Sequence, residues 1–270
     1  MHERVCINAL CFPGADLPAM ATHWAALKPS RIAFMSQLLP DDLSLARSII
    51  AQGPYRFESM THLFLAGQQV SSDRAVWDVE RAKLSKVLDS VAELGGKSVY
   101  MMTGGHGDLV WEEAAGLLGE ILAPCVAQAK EAGLELMIET CPPLYADAHL
   151  AHTLRDTVEL AEMAGLGICV DLFSCWGEAG LKQTIERAAP RCHLVQVADY
   201  VFGDRALPCR AVPGDGNIPL ERLFDWLLSA GYEGAFDLEL IGPRIDAEGH
   251  LEACRRAADR IGEMLVRLGA

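Results

Sequence analysis

Four polar residues stand at the ends of apolar runs: Glu139 in LMIET, Asp171 in ICVDL, Gln196 in LVQVAD and Glu239 in FDLEL. Three are carboxylates. A carboxylate inside a buried run is costly unless it is paired or meets a cation. Gathered in one low-dielectric centre, the three would repel one another strongly, and a divalent cation removes that cost. Donors made of oxygen favour Mn²⁺ or Mg²⁺, with Co²⁺ also accommodated, over a thiolate-type Zn²⁺ site. A single acid at a strand end is ordinarily a solvated loop residue or a helix N-cap. Four in register, one per run, read better as a shared centre.

The elements that must position them alternate regularly. Short β-rich runs are expected at 5–10, 31–36, 56–62, 98–103, 135–140, 167–172, 193–199 and 235–240. Helix-period stretches lie between them at 17–27, 41–52, 72–94, 111–132, 150–164, 178–189, 220–230 and 247–268. Gly95-Gly96, Gly133, Gly165 and Gly231 follow helices, where a residue with positive φ ends the last turn. Several runs are continuously apolar, as in parallel strands covered on both faces. Eight such alternations in 270 residues predict a single-domain α/β fold, a (β/α)8 TIM barrel over 1–270. Its active site belongs at the C-terminal ends of the strands. A doubly wound open sheet is the alternative, but no G-x-G-x-x-G follows the first run.

Composition narrows the function. Asp plus Glu number 37 against 23 Lys plus Arg, a formal net charge of −14. A surface this acidic repels phosphate backbones and anionic lipids, so neither nucleic acid nor membrane is expected as a partner. No apolar run approaches the ~18 residues of a membrane span. The N-terminus lacks a basic segment followed by an apolar one, so no secretory signal is read. Nine cysteines without a C-x-x-C spacing suggest reduced, buried thiols and a cytoplasmic protein.

The segments IETCPPLYADAHLAHTLRDTVELAEMAG, GICVDLFSCWGE, HLVQVADY and CRAVPGDGNIPLERLFDWLLSAGYEGAFDLEL resemble the xylose-isomerase-like sugar isomerase/epimerase superfamily. That superfamily includes ketose 3-epimerases, inosose isomerases and dehydratases, and dehydroshikimate dehydratases. The likeness is best over 135–240. It implies that Glu139, Asp171, Gln196 and Glu239 ligate one divalent metal, and that Glu139 and Glu239 also act as catalytic acid/base groups. No organic cofactor is implied. The chemistry is proton transfer α to the carbonyl of a polyhydroxy ketone. The partner is a small keto-sugar or keto-polyol, and a homo-oligomer is left open.

Arg210, before AVPGDG, resembles the superfamily's substrate-loop arginine. His62, His106, Ser174 and Trp176 are further candidates for substrate contact at the barrel mouth. Asp199 is a candidate to orient Arg210 or a metal ligand. Two departures stand out: many epimerases have His where this chain has Gln196, and a substrate-contacting His where it has Ser174. Both favour a second reading, a dehydratase or lyase on a cyclic keto-polyol of the dehydroshikimate, inosose or 3-keto-glycoside type. A third reading is a non-catalytic sugar-binding barrel or a subunit of a larger complex.

Overall fold

The computed structural model describes residues 1–65 and 68–270. Eight parallel strands close into a barrel: β1 (Val5–Asn8), β2 (Arg31–Met35), β3 (Arg56–Leu63), β4 (Ser98–Met102), β5 (Glu135–Glu139), β6 (Gly167–Asp171), β7 (Cys192–Val197) and β10 (Ala235–Leu238). Each pairs with its sequence neighbour in the barrel, and β1 closes on β10 with Cys6 opposite Asp237. The fold is the expected TIM barrel. Between β7 and β10 a two-stranded antiparallel hairpin intervenes, β8 (Asp199–Tyr200) and β9 (Arg210–Ala211). The run expected as 193–199 therefore ends at Val197, and Asp199 turns into the hairpin.

Helices α1 (Leu17–Leu27), α2 (Ser44–Gln52), α3 (Arg74–Glu93), α4 (Trp111–Glu131) and α5 (Leu154–Ala164) follow the first five strands. Next come α6 (Leu172–Cys175), α7 (Leu181–Ala188), α8 (Leu220–Ser229), α9 (Pro243–Glu248) and α10 (His250–Arg267). Several helices start later than the sequence reading has them, α2 at Ser44 and α7 at Leu181 among them, and in α5 capping decides. Thr153 accepts the Asp156 N–H at 3.0 Å, so α5 begins at Leu154 and not at 150. Glu178 does not open α7; its side chain takes the Leu154 N–H at 2.7 Å instead. The last expected helix is split by Gly249, whose φ of 95° no helix accommodates.

Cys6, Ala33, Tyr100, Met137, Cys169, Leu194 and Ala235 pack as one cluster, separate from the larger core around it. Strand alternation puts this cluster on the same side as Asp237 and Gln196, inside the barrel. Phe34, Phe57, Met101, Ile138 and Phe236 belong to the larger core, between strands and helices. Both faces of every strand are thus covered. All nine cysteines are buried and free. Among the described residues, no helix is long and apolar enough to cross a membrane.

Candidate metal centre

Glu139 and Asp171 are the last residues of β5 and β6. Glu239 follows β10 directly, its N–H held by the Val197 carbonyl at 3.2 Å. All three point inward and are buried, and one oxygen from each lies within 4.8 Å of the others. Gln196, on β7 between Asp171 and Asp237 in register, completes the arc. The alternation that sends Met137 and Cys169 into the barrel cluster sends Glu139 and Asp171 the same way.

Asp171 is fully buried, and four donors surround its carboxylate. The Phe173 N–H (3.0 Å) and Arg210 Nη1 (3.2 Å) bond Oδ1. Ser174 Oγ (2.5 Å) and Arg210 Nη2 (2.9 Å) bond Oδ2. The first of these makes Asp171 the N-cap of α6. Arg210 Nη2 also lies 3.0 Å from Glu239 Oε1, and the guanidinium stacks over the Phe173 ring at 4.5 Å. Arg210 is drawn to the centre from β9, 39 residues beyond Asp171.

Electrostatics follow the geometry. Burial pushes the Glu139 carboxyl well above its ordinary range, and the neighbouring charges of Glu239 and Asp171 push it further. Burial lifts Glu239 to about 7 against the opposing pull of Arg210. The Arg210 guanidinium is held firmly charged: burial acts against the charge, but Asp171, Glu239 and Glu139 outweigh it. With Arg210 counted, the three carboxylates leave the centre at formal charge −2.

Gln196 turns its amide nitrogen to the carboxylates. Nε2 donates to Glu239 Oε2 at 2.6 Å and to Tyr100 Oη at 3.3 Å, while Oε1 accepts from the Cys169 thiol at 3.2 Å. Amide oxygen and nitrogen share one shape, so the same side chain turned over would present oxygen on that side. Three carboxylate oxygens plus such an amide fit a hard divalent cation.

The other expected contacts divide. Ser174 reaches Asp171 directly. Trp176 is half-buried and lines a cavity of about 300 Å³ with Pro142, Phe173, Ser174, Tyr200 and Leu207. Among the described residues the Asp199 carboxylate hydrogen-bonds neither Arg210 nor another acid; its oxygens accept the N–H groups of Tyr200, Gly214, Gly216 and Ile218 and so shape the β9–α8 loop. A Cβ on Gly216 would overlap that carboxylate, which is why the turn requires glycine there. His62 is not brought to the centre. Thr61 points inward to Tyr100, so His62 faces the helices, with Nδ1 3.0 Å from Ser36 Oγ and Nε2 buried without a partner among the described residues. His106 bonds the Leu109 carbonyl at 2.9 Å within its own loop.

Residues the sequence reading did not single out build the support. Tyr100 Oη receives Asn8 Nδ2 at 3.1 Å and the Gln196 amide, and it also bonds Thr61. Asn8 Nδ2 donates to Asp237 Oδ2 at 2.6 Å. His149 accepts the Thr103 N–H and bonds the Glu139 carbonyl. Asp237 carries the same signal as Glu239, an acid inside an apolar run two residues earlier. Nothing local in the sequence marks His149.

A model of the xylose isomerase-like TIM barrel matches residues 37–261. A "Putative hydroxypyruvate isomerase" from Streptomyces coelicolor is 30% identical over 193 residues, covering 65% of this chain and 66% of that protein. The chain thus spans just under two thirds of that relative's length. The structure of an L-ribulose 3-epimerase superposes with a TM-score of 0.81 at 18% identity, covering 100% of this chain and 96% of the other. That of the IOLI protein with a binding zinc atom gives a TM-score of 0.82 at 16% identity, covering 98% and 99%. Matched over most of its length by a single family model, and closed by the barrel that model describes, the chain belongs to the xylose isomerase-like TIM barrel family.

Proposed function

We propose that the chain is a divalent-metal-dependent isomerase or epimerase that moves a proton at the carbon next to the carbonyl of a small polyhydroxy ketone. One observation carries the reading: three buried carboxylates from the ends of β5, β6 and β10 offer oxygens within 4.8 Å of one another, at the end of the barrel where this fold does its chemistry. Glu139, Asp171 and Glu239, with Gln196, are the residues that would hold Mn²⁺, Mg²⁺ or Co²⁺. When bound, such a cation supplies positive charge for the oxyanion that develops as the α-proton leaves.

The chain's own groups do the rest. Glu139 and Glu239 stand on different strands, so one can take the proton and the other return it to the neighbouring carbon or the opposite face. Burial lifts both above the ordinary carboxyl range, and Glu239, at about 7, stands where a carboxyl exchanges protons near neutrality. Arg210 supplies N–H donors for substrate oxygens, and Phe173, Trp176 and Tyr200 wall the cavity beside Ser174. Hydroxypyruvate carries one hydroxyl, not several, but has the same α-hydroxy ketone unit, and the name of the relative makes it the first substrate to test.

Ser174 favours a second reading. The position carries a hydroxyl tied to Asp171, not a titratable imidazole. If a β-hydroxyl leaves after the first proton transfer, the outcome is dehydration of a keto-polyol.

The test is elemental analysis of the purified protein, then a panel of hydroxypyruvate, ketoses and keto-polyols in D₂O followed by proton NMR. Deuterium entry without water loss, abolished by chelator and restored by metal, is the expected result. A new enone signal selects the lyase. Undiminished turnover in chelator-stripped protein overturns the metal-dependent reading.

A further inference from the structure

Resting on the metal-dependent reading, we infer that Arg210 is a built-in counter-cation, which holds the centre together in the metal-free protein and competes with a divalent ion for Asp171 and Glu239.

The argument begins with lone pairs. An ionised carboxylate offers about four acceptor sites. On Asp171 all four are taken: by the Phe173 N–H, the Ser174 hydroxyl and both arms of Arg210. Glu239 is similarly engaged, Oε1 by Arg210 and Oε2 by Gln196. Asp171 therefore has no open site for a cation while these bonds stand.

Only one of its partners carries a charge that opposes a cation. The Phe173 N–H belongs to the turn that Asp171 caps, so losing it loosens the start of α6, and the Ser174 hydroxyl is neutral and does not repel a cation. The Arg210 backbone is fixed, its N–H held by the Ile241 carbonyl at 3.2 Å and its residue paired with Tyr200 across the hairpin. Its side chain has several torsions and rests on the face of Phe173, a surface that holds a guanidinium without a fixed hydrogen-bond direction. Arg210 can withdraw from Asp171 across that ring and remain in the site.

Charge gives the same answer. Three buried carboxylates without a cation are expensive, and Arg210 offsets part of that cost. Once a divalent ion is present, Arg210 is a like charge at short range, and its bonds to Asp171 and Glu239 are surrendered. The released N–H groups then face the substrate side. Substrate contact through Arg210 follows loading.

The test measures binding, not turnover. Mn²⁺ is titrated calorimetrically and Co²⁺ by visible absorbance into chelator-stripped wild type, Arg210→Met and Arg210→Lys, with thermal melts of each with and without metal. Arg210→Met is expected to bind at least tenfold tighter, and to melt lower than wild type when metal-free but not when loaded. Arg210→Lys keeps the charge but loses the fork, and should bind a few-fold tighter. It stays informative should Arg210→Met not fold. Unchanged or weaker affinity in the folded variants overturns the inference and leaves the functional reading standing. No binding by wild type overturns both.

Discussion

His149 ties the end of β5 to the end of β4. Its Nδ1 accepts the Thr103 N–H at 3.0 Å, which leaves Nε2–H to donate to the main-chain carbonyl of Glu139 at 2.7 Å. The ring is fully buried. One side chain thus fixes the backbone from which a candidate catalytic carboxylate projects. His149→Ala strands a buried N–H and a buried carbonyl, at about 1–3 kcal/mol each. Urea unfolding should show the summed loss. A variant within about 0.5 kcal/mol of wild type would mean the two strand ends are held by something else.

His62 makes stability depend on pH. Burial lowers its imidazole from 6.5 to about 4, Lys83 acts in the same direction and Glu80 opposes. Between these values the unfolded chain takes up a proton that the folded one refuses. The share of stability that depends on His62 is therefore full above pH 6.5 and is lost as pH drops towards 4, about 3 kcal/mol over the whole window, and buried His149, likewise lowered to about 4, adds to the same fall. His62→Met should flatten that part of the profile in denaturant titrations from pH 7.5 to 4. An unchanged profile would show that the ring is reached by water.

Glu239→Gln keeps the shape of the side chain and removes its charge and its proton-accepting capacity. It should fold, since burying an amide avoids the cost that lifts the Glu239 pKa to about 7. Turnover should fall by about 10²–10⁴-fold, the range for loss of a general acid or base. Circular dichroism alongside the exchange assay checks both halves. A folded, active variant removes Glu239 from the chemistry.

Tyr100 is the hub under the centre, bonded to Asn8, Thr61 and Gln196. Tyr100→Phe leaves the Asn8 and Gln196 amides each short of an acceptor inside the barrel. The expected loss is about 1–3 kcal/mol of stability. Gln196 would also be freer to turn its amide. Melting and metal titration of this variant against wild type measure the two effects separately.

Gly216→Ala places a methyl against the Asp199 carboxylate that gathers four backbone N–H groups. The β9–α8 loop should open, with a stability loss of about 1–3 kcal/mol. Arg210 sits on β9, directly ahead of that loop, so the substrate KM should rise more than kcat falls.

The barrel was legible because each strand and helix announces itself locally. An apolar run of five or six residues and a glycine closing α5 at Gly165 are short-range signals, whereas the Thr153 cap that starts α5 at Leu154 went unread. The acids were legible for the same reason: Glu139, Asp171 and Glu239 each interrupt an apolar run, and a buried charge is conspicuous among neutral neighbours. What sequence alone left undetermined is which way a side chain faces and what it meets. In β3 both faces are covered, so Thr61 and His62 read alike, and only closure of the barrel sends one to the axis and the other to the helices. The grip of Arg210 on Asp171 spans 39 residues, the Asn8–Asp237 bond 229. Such pairings depend on the strand order around the cylinder, where β1 meets β10. The orientation of the Gln196 amide, likewise, is set by Tyr100, Cys169 and Glu239 on three other strand segments. Local propensity wrote the elements; packing of buried polar groups, each in need of a partner, decided what they do together.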